Sequence, residues 1–228
     1  MAKTSNLVLL SERGQRDPGI VTLYDKSRYA NNGVLTAVTT QRQPSGVYAH
    51  VFNGTTSLIT IAAAKSLSPY NKNGYWSASA WIKPTTDGKN DLGTILRQAS
   101  GWFFRVRNEA AGTVRLNGFV DHVTTDAEVV SSTTMTCSVW HHVAMVYNRL
   151  GTLKIELYID GAECALSTDT AGVGALTNGS ANALILGNDV AVSNTFDGSI
   201  AWWKVAAEAW SAGKNLNDYE AEKVWWGR

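Results

Sequence analysis

Two apolar runs joined by one short turn constrain this chain more than anything else in it. The first is Val139-Trp140-His141-His142-Val143-Ala144-Met145-Val146-Tyr147, and the second is Leu153-Lys154-Ile155-Glu156-Leu157-Tyr158-Ile159, closed by Asp160-Gly161. Both are rich in β-branched and aromatic residues, which suit a pleated, half-buried surface. The turn Asn148-Arg149-Leu150-Gly151-Thr152 connects them. Asp-Gly is a hairpin signal because both central positions of a tight turn need positive φ, so a third strand over 162–167 folds straight back. Pairing Asn148 with Leu153 puts Trp140, His142, Ala144 and Val146 on one face with Ile155, Leu157 and Ile159, because cross-strand neighbours point the same way. That face is expected to be core, with Lys154, Glu156 and Tyr158 on the wetter side.

Short apolar runs of this kind recur with Gly, Asn, Asp or Ser between them, and no amphipathic helical stretch interrupts them before the C-terminus. Strands are expected at 47–52, 58–61, 76–82, 94–97, 102–107, 114–120, 140–147, 153–159, 162–167, 183–186 and 198–205. So many strands need two packed sheets. The expected architecture is all-β, one domain over 1–228. Near the end, Asn217-Asp218-Tyr219-Glu220 offers a capping box opening a short helix to about Trp226. Ala221, Val224 and Trp225 would then face the sandwich. Hydrophobic residues make up 44% of the chain, with nine Trp and eight Tyr, enough for a sizeable core.

Charged residues are only 17% and the net charge is +1, with no run of Lys or Arg. The electrostatic footprint of a nucleic-acid binder is therefore missing. Leu7 to Leu10 is the longest apolar stretch near the N-terminus, too short for a signal-peptide core or a membrane span. Cys137 and Cys164 do not fall opposite each other on the hairpin register, so two buried free thiols are expected rather than a disulfide.

Several stretches, in order along the chain, resemble the concanavalin A-like lectin/glucanase superfamily and its laminin-G-like jelly-roll branch. They are Tyr24-Asp25-Lys26-Ser27 with Asn31-Asn32-Gly33-Val34-Leu35, Val51-Phe52-Asn53-Gly54, Trp76-Ser77-Ala78-Ser79-Ala80-Trp81-Ile82, Trp140-His141-His142-Val143, Leu157-Tyr158-Ile159-Asp160-Gly161, Leu184-Ile185-Leu186-Gly187, and Phe196-Asp197-Gly198-Ser199-Ile200. The resemblance implies a two-sheet antiparallel jelly-roll sandwich with a typical role in binding glycans or protein surfaces. Members of this branch often continue the last motif as Gly-x-Ile-Asp-Glu, whose Asp can help hold calcium; here Ile200 is followed by Ala201-Trp202-Trp203. Asp25, Asn32 and Asp197 remain as oxygen donors for a calcium ion, which wants six to eight oxygens. The alternative is that Asp25 and Asn32 shape an Asx-type turn.

The superfamily's glucan-cleaving members carry Glu-x-Asp-x-x-Glu on one strand, and no Glu in this sequence has Asp two positions later. Glu156 reads as a solvated strand residue and Asp160 as a turn former, so no catalytic residue is assigned. Adjacent strand residues point to opposite faces, so His141 and His142 cannot chelate one ion together; His142 reads as a hydrogen-bonded core histidine. The aromatic residues remain as ligand or interface candidates. Trp76 joins Ala78, Ala80 and Ile82 in the core, and Trp81 lies on the other face, either as a sugar platform or under a loop. Trp202-Trp203 and Trp225-Trp226 pose the same choice between an interface and cover by the terminal helix.

The sequence is thus expected to encode a non-catalytic binding or assembly module. Without an export signal and with a weakly charged surface, it reads first as a phage or virus surface component, a capsid decoration or tail-associated protein. Its partners would be a virion or homo-oligomer surface and host glycans, with no membrane insertion. The alternatives are an extracellular carbohydrate-binding lectin module and a divergent glycoside hydrolase.

Overall fold

A computed structural model describes residues 7–10, 21–67, 74–151 and 155–228. In chain order the first strands are β1 (Leu7–Leu10), β2 (Thr22–Leu23), β3 (Gly33–Thr36), β4 (Thr39–Arg42), β5 (Tyr48–Asn53), β6 (Leu58–Ile61), β7 (Tyr75–Pro84), β8 (Leu92–Gln98) and β9 (Trp102–Ala110). They are followed by β10 (Thr113–Val120), β11 (Ala127–Thr136), β12 (His141–Asn148), β13 (Ile155–Ile159), β14 (Ala162–Glu163), β15 (Leu166–Thr170), β16 (Leu184–Leu186), β17 (Asp197–Ala206) and, among the described residues, one α-helix, α1 (Ala212–Glu222). An eight-stranded sheet runs β14-β13-β12-β7-β17-β5-β4, with β1 also on β17; a nine-stranded sheet runs β15-β11-β10-β9-β8-β16-β6-β3-β2. Their pairings are antiparallel.

The main core lies between the sheets. Trp76, Ala78, Ala80 and Ile82 enter it from β7 as expected, and Trp76 packs on Trp102 of the facing sheet with ring centroids 4.3 Å apart. Two motif glycines are required by close approach. A Cβ on Gly187 (φ 73°) would collide with the Phe52 ring, and one on Gly198 (φ 136°) with the Lys83 carbonyl oxygen. Only glycine fits both constraints.

The central hairpin differs from expectation by one residue. Tyr147 pairs with Ile155 and Met145 with Leu157, so Val143, Met145 and Tyr147 share the core face with Ile155, Leu157 and Ile159. Trp140, His142, Ala144 and Val146 lie together on the opposite face. A one-residue slip exchanges every side chain between faces, and both faces here are apolar enough to have misled. Leu153, Lys154 and Thr152 lie outside the described residues.

Two further corrections concern β11 and the stretch after the hairpin. The run Ala127–Thr136 was not expected as a strand, because Ser131-Ser132-Thr133-Thr134 breaks its apolar alternation, yet it is among the longest strands. The stretch expected as one strand over 162–167 divides: β14 stays with the hairpin sheet, while β15 pairs with β11 in the other. Cys164 lies at that crossing, buried opposite Leu157, and both cysteines are free.

The N-cap of helix α1 lies six residues before the expected one at Asn217. Ser211 is the N-cap, its hydroxyl accepting from the Lys214 amide. No Glu or Gln follows three positions on, so the sequence lacked the box signal. The docking face is also rotated from expectation: Val224 and Trp225 are exposed, while Asn215, Glu222 and Trp226 are buried.

Candidate functional site

The C-terminal segment covers the middle of the outer face of the eight-stranded sheet. Trp81 is fully buried and donates its indole N–H to Glu222 Oε2 at 2.8 Å. Its ring stacks on Tyr219 and Trp226, whose centroids lie 5.9 and 5.7 Å away. Trp226 also reaches Trp140 at 4.3 Å and Trp202 at 5.1 Å. The β17 register shifts between Ala201 and Lys204, and Trp202 takes φ 46°, the mark of a bulge. The extra residue turns Trp202 toward the helix and Trp203 into the main core. Of the five tryptophans considered as ligand or interface residues, Trp81, Trp202, Trp203 and Trp226 are therefore buried, and Trp225 remains 44% exposed.

Beneath the helix, Lys204 Nζ lies 2.7 Å from Glu222 Oε1 and 3.4 Å from Asp218 Oδ2. His142 sits in the same layer, with its ring centroid 5.5 Å from that of Trp81. Neither ring nitrogen has a hydrogen-bond partner among the described residues, contrary to the expected hydrogen-bonded core histidine. Burial pushes its pKa down to about 4. His141 is separate: its Nδ1 lies 2.8 Å from Asp160 Oδ2, and the other Asp160 oxygen accepts the His142 amide at 2.9 Å. Asp160 (φ 50°) and Gly161 (φ 80°) form the expected tight turn.

Asp25 and Asn32 come together as a turn. The Asp25 amide donates to Asn32 Oδ1 at 3.0 Å, and the Asp25 carboxylate accepts from the Ser27 amide, the Ser27 hydroxyl and the Asn31 amide. Asp197 lies at the start of β17, accepting from Thr86 Oγ1 at 3.0 Å. It borders a polar hollow of about 310 Å³ with Lys83, Gln41 and Ser199. Among the described residues, no three His, Cys, Asp or Glu side chains gather as a metal site.

The nine-stranded sheet presents a different outer face. Alternation sends Trp102, Phe104 and Val106 of β9 and Val114, Leu116 and Val120 of β10 into the core. Phe103, Arg105 and Arg107, with Arg115, Asn117 and Phe119, must then point outward. One rung crosses the sheet as Glu128, Phe119, Phe103, Arg97, Ile185 and Thr60, each paired with the next. At its centre the Phe103 and Phe119 rings are parallel within 2°, with centroids 4.6 Å apart. The Arg105 guanidinium lies 4.0 Å from the Phe103 centroid.

The next rung ties these rings to a polar fork. Arg105 Nε donates to Asn117 Oδ1 at 2.6 Å, and the Asn117 amide donates to Glu128 Oε1 at 3.1 Å and to the Val129 carbonyl. Glu128 lies 3.6 Å from Arg107 and 4.0 Å from Arg105. Both phenylalanine rings stay half-exposed. The sequence reading missed this cluster, although its signal was present: alternate positions of Trp102-Phe103-Phe104-Arg105-Val106-Arg107 carry both a core face and a second set of aromatic and basic residues.

The profile of the Laminin_G_3 family, described as concanavalin A-like lectin/glucanases superfamily, matches residues 53–213. No curated protein sequence matches the chain. Among solved structures, the chain is similar to the binding domain of Paraclostridial Mosquitocidal Protein 1, with TM-score 0.72 and 17% identity over 99% of this chain and 56% of that one. It is similar to the receptor binding domain of botulinum neurotoxin C/D mosaic serotype, with TM-score 0.66 and 16% identity over 99% and 55%. A third is Domain 4 of AbnA, a GH43 extracellular arabinanase from Geobacillus stearothermophilus, in complex with arabinotriose, with TM-score 0.60 and 17% identity over 85% and 91%. The chain spans about half the length of the toxin binding domains it matches. At these identities the likeness is one of fold.

Proposed function

The chain belongs to the Laminin_G_3 family of the concanavalin A-like lectin/glucanases superfamily, and from that premise we propose that it is a non-catalytic module binding glycans on the outer face of its nine-stranded sheet. The carrying observation is the parallel Phe103–Phe119 pair on a half-exposed sheet face, beside the Arg105–Asn117–Glu128 fork. Aromatic rings offer an apolar surface to the C–H faces of a sugar ring. Fixed polar groups around them select hydroxyl positions, the usual division of labour in a ligand site. The arabinotriose complex of the similar arabinanase domain supports the same reading.

The carboxylates on this face argue for binding rather than hydrolysis. Glycoside cleavage needs two carboxyl groups flanking one bond, whereas Glu128 faces Arg105 and Arg107, and Asp189 faces Arg97 at 3.6 Å. The virion-surface reading rested on the lack of an export signal and on the weakly charged surface, with the tryptophan pairs as its candidate interface; Trp202, Trp203 and Trp226 are buried, so they offer no such interface, and the glycan reading is the one proposed.

The test is a glycan array followed by calorimetric titration of its hits with wild type, Phe103→Ala and Phe119→Ala. Removing either ring is expected to weaken binding by about tenfold with folding retained. Full affinity in both variants, or an array without a hit, overturns the proposal.

A further inference from the structure

Building on the glycan-binding reading of this sheet face, we propose that its ligand is an acidic glycan whose carboxylate or sulfate is seated between Arg107 and Arg115. The β9–β10 register places these two arginines directly opposite each other. Both point outward, because their chain neighbours Val106, Val114 and Leu116 lie in the core. Like charges directly opposite on neighbouring strands destabilise a sheet. Two arginines at paired positions can also bring their guanidinium forks onto one planar carboxylate or sulfate through several charge-assisted hydrogen bonds, Arg107 turning from its contacts with Glu128 and the Asn108 side chain.

The positive charge is under-compensated from within the protein. Four guanidiniums, of Arg97, Arg105, Arg107 and Arg115, occupy this face against three carboxylates, those of Glu128, Asp189 and Asp121, the last within electrostatic reach of Arg97. Glu128 is shared between Arg105 and Arg107, and Asp189 lies by Arg97. Arg115 has no side-chain partner among the described residues. The whole chain carries only +1, so the excess is a property of this face. The Arg105 pKa, brought down to about 10 by burial and then by Arg107 and Arg97 despite Glu128, reports the same positive field.

The spacing suits an oligosaccharide rather than a lone anion. Arg115 and Phe119 lie four residues apart on β10, roughly 13 Å along a strand, with Arg105 and Asn117 between them. A short oligosaccharide can lie along this line with one ring against the phenylalanines and an acidic group at the arginine pair.

The experiment titrates trigalacturonate, a sulfated trisaccharide of similar length, uncharged arabinotriose and a short polyglutamate peptide into wild type, Arg115→Ala, Arg115→Glu and Phe119→Ala, at low and at physiological salt. At least one acidic oligosaccharide is expected to bind more tightly than arabinotriose and polyglutamate, with an advantage that shrinks as salt screens it. The preferred arm names the acidic group. Arg115→Ala is expected to reduce that advantage by roughly tenfold or more, while thermal stability holds or rises as the like-charge pair is relieved. Arg115→Glu, which can pair with Arg107, is expected to abolish the preference in a protein at least as stable.

Equal affinity for charged and uncharged oligosaccharides, tight binding of polyglutamate, or an Arg115→Ala protein with undiminished preference overturns the acidic-group assignment and leaves the glycan face standing. Failure of every oligosaccharide to bind, with Phe119→Ala indistinguishable from wild type, overturns the reading beneath it as well.

Discussion

The indole N–H of Trp81 donates to Glu222 at 2.8 Å, tying a central strand to the end of the C-terminal helix across 141 positions of sequence. The other Glu222 oxygen meets Lys204 at 2.7 Å. One buried carboxylate thus satisfies the indole and shares the Lys204 ammonium with Asp218, 3.4 Å away. Glu222→Ala leaves the indole without its acceptor and Lys204 with Asp218 alone. Breaking a buried pair on one side costs about 3–5 kcal/mol, and urea denaturation is expected to show a loss of that size. A loss under about 1 kcal/mol, the range of an exposed pair, would show that the helix does not depend on this contact.

The two tryptophans at the end of the helix should behave oppositely. Trp226 is 5% exposed and touches Trp81, Trp140 and Trp202, whereas Trp225 is 44% exposed. Trp226→Ala is expected to cost about 3–5 kcal/mol, and Trp225→Ala well under half of that. Parallel denaturation curves decide it, and equal losses would contradict the packing described.

Acid should loosen the fold through two histidines. Burial brings the pKa of His142 and that of His50 down to about 4, from an ordinary value of 6.5. Each is therefore neutral in the folded protein and takes up a proton more readily when unfolded. The stability this represents is full above pH 6.5 and is lost as pH falls from 6.5 through about 4, on the order of 3 kcal/mol for each histidine. Glu222, Asp218 and Asp160 favour the proton on His142 while Lys204 opposes it, but burial outweighs them. Thermal melts between pH 7.5 and 4 should fall over that window, and His142→Gln should flatten part of the fall. A midpoint independent of pH there would refute the assignment.

The Asp25 carboxylate is occupied by one turn, accepting from two backbone amides and a hydroxyl. Asp25→Ala is expected to cost about 1–3 kcal/mol, the range for leaving buried donors unmet, with the same loss in calcium and in chelator. A loss that appears only when calcium is present would instead make Asp25 a ligand.

Much of the architecture was legible because its signals are local. The alternation in Trp76–Ile82 and the Asp160-Gly161 turn each report a strand face or a backbone angle fixed within a few residues. The hairpin register was not legible. Both faces of β12 are apolar, one turned to the core and the other to the helix, so hydrophobicity could not break the tie. Strand β11 was hidden for the related reason that Ser and Thr fill its middle.

The sequence by itself determined the β-sandwich class and which residues alternate along each strand, since backbone sterics and a period of two act at short range. Tertiary structure alone decided which apolar face meets water. Helix α1 and the turn after it, which carries Trp226, cover Trp81 and Trp202 on one sheet, while the register of β9 against β10 sets Phe103 beside Phe119 and Arg107 beside Arg115 on the other. Those outcomes depend on pairings between distant segments, and no local pattern encodes which distant segment will arrive.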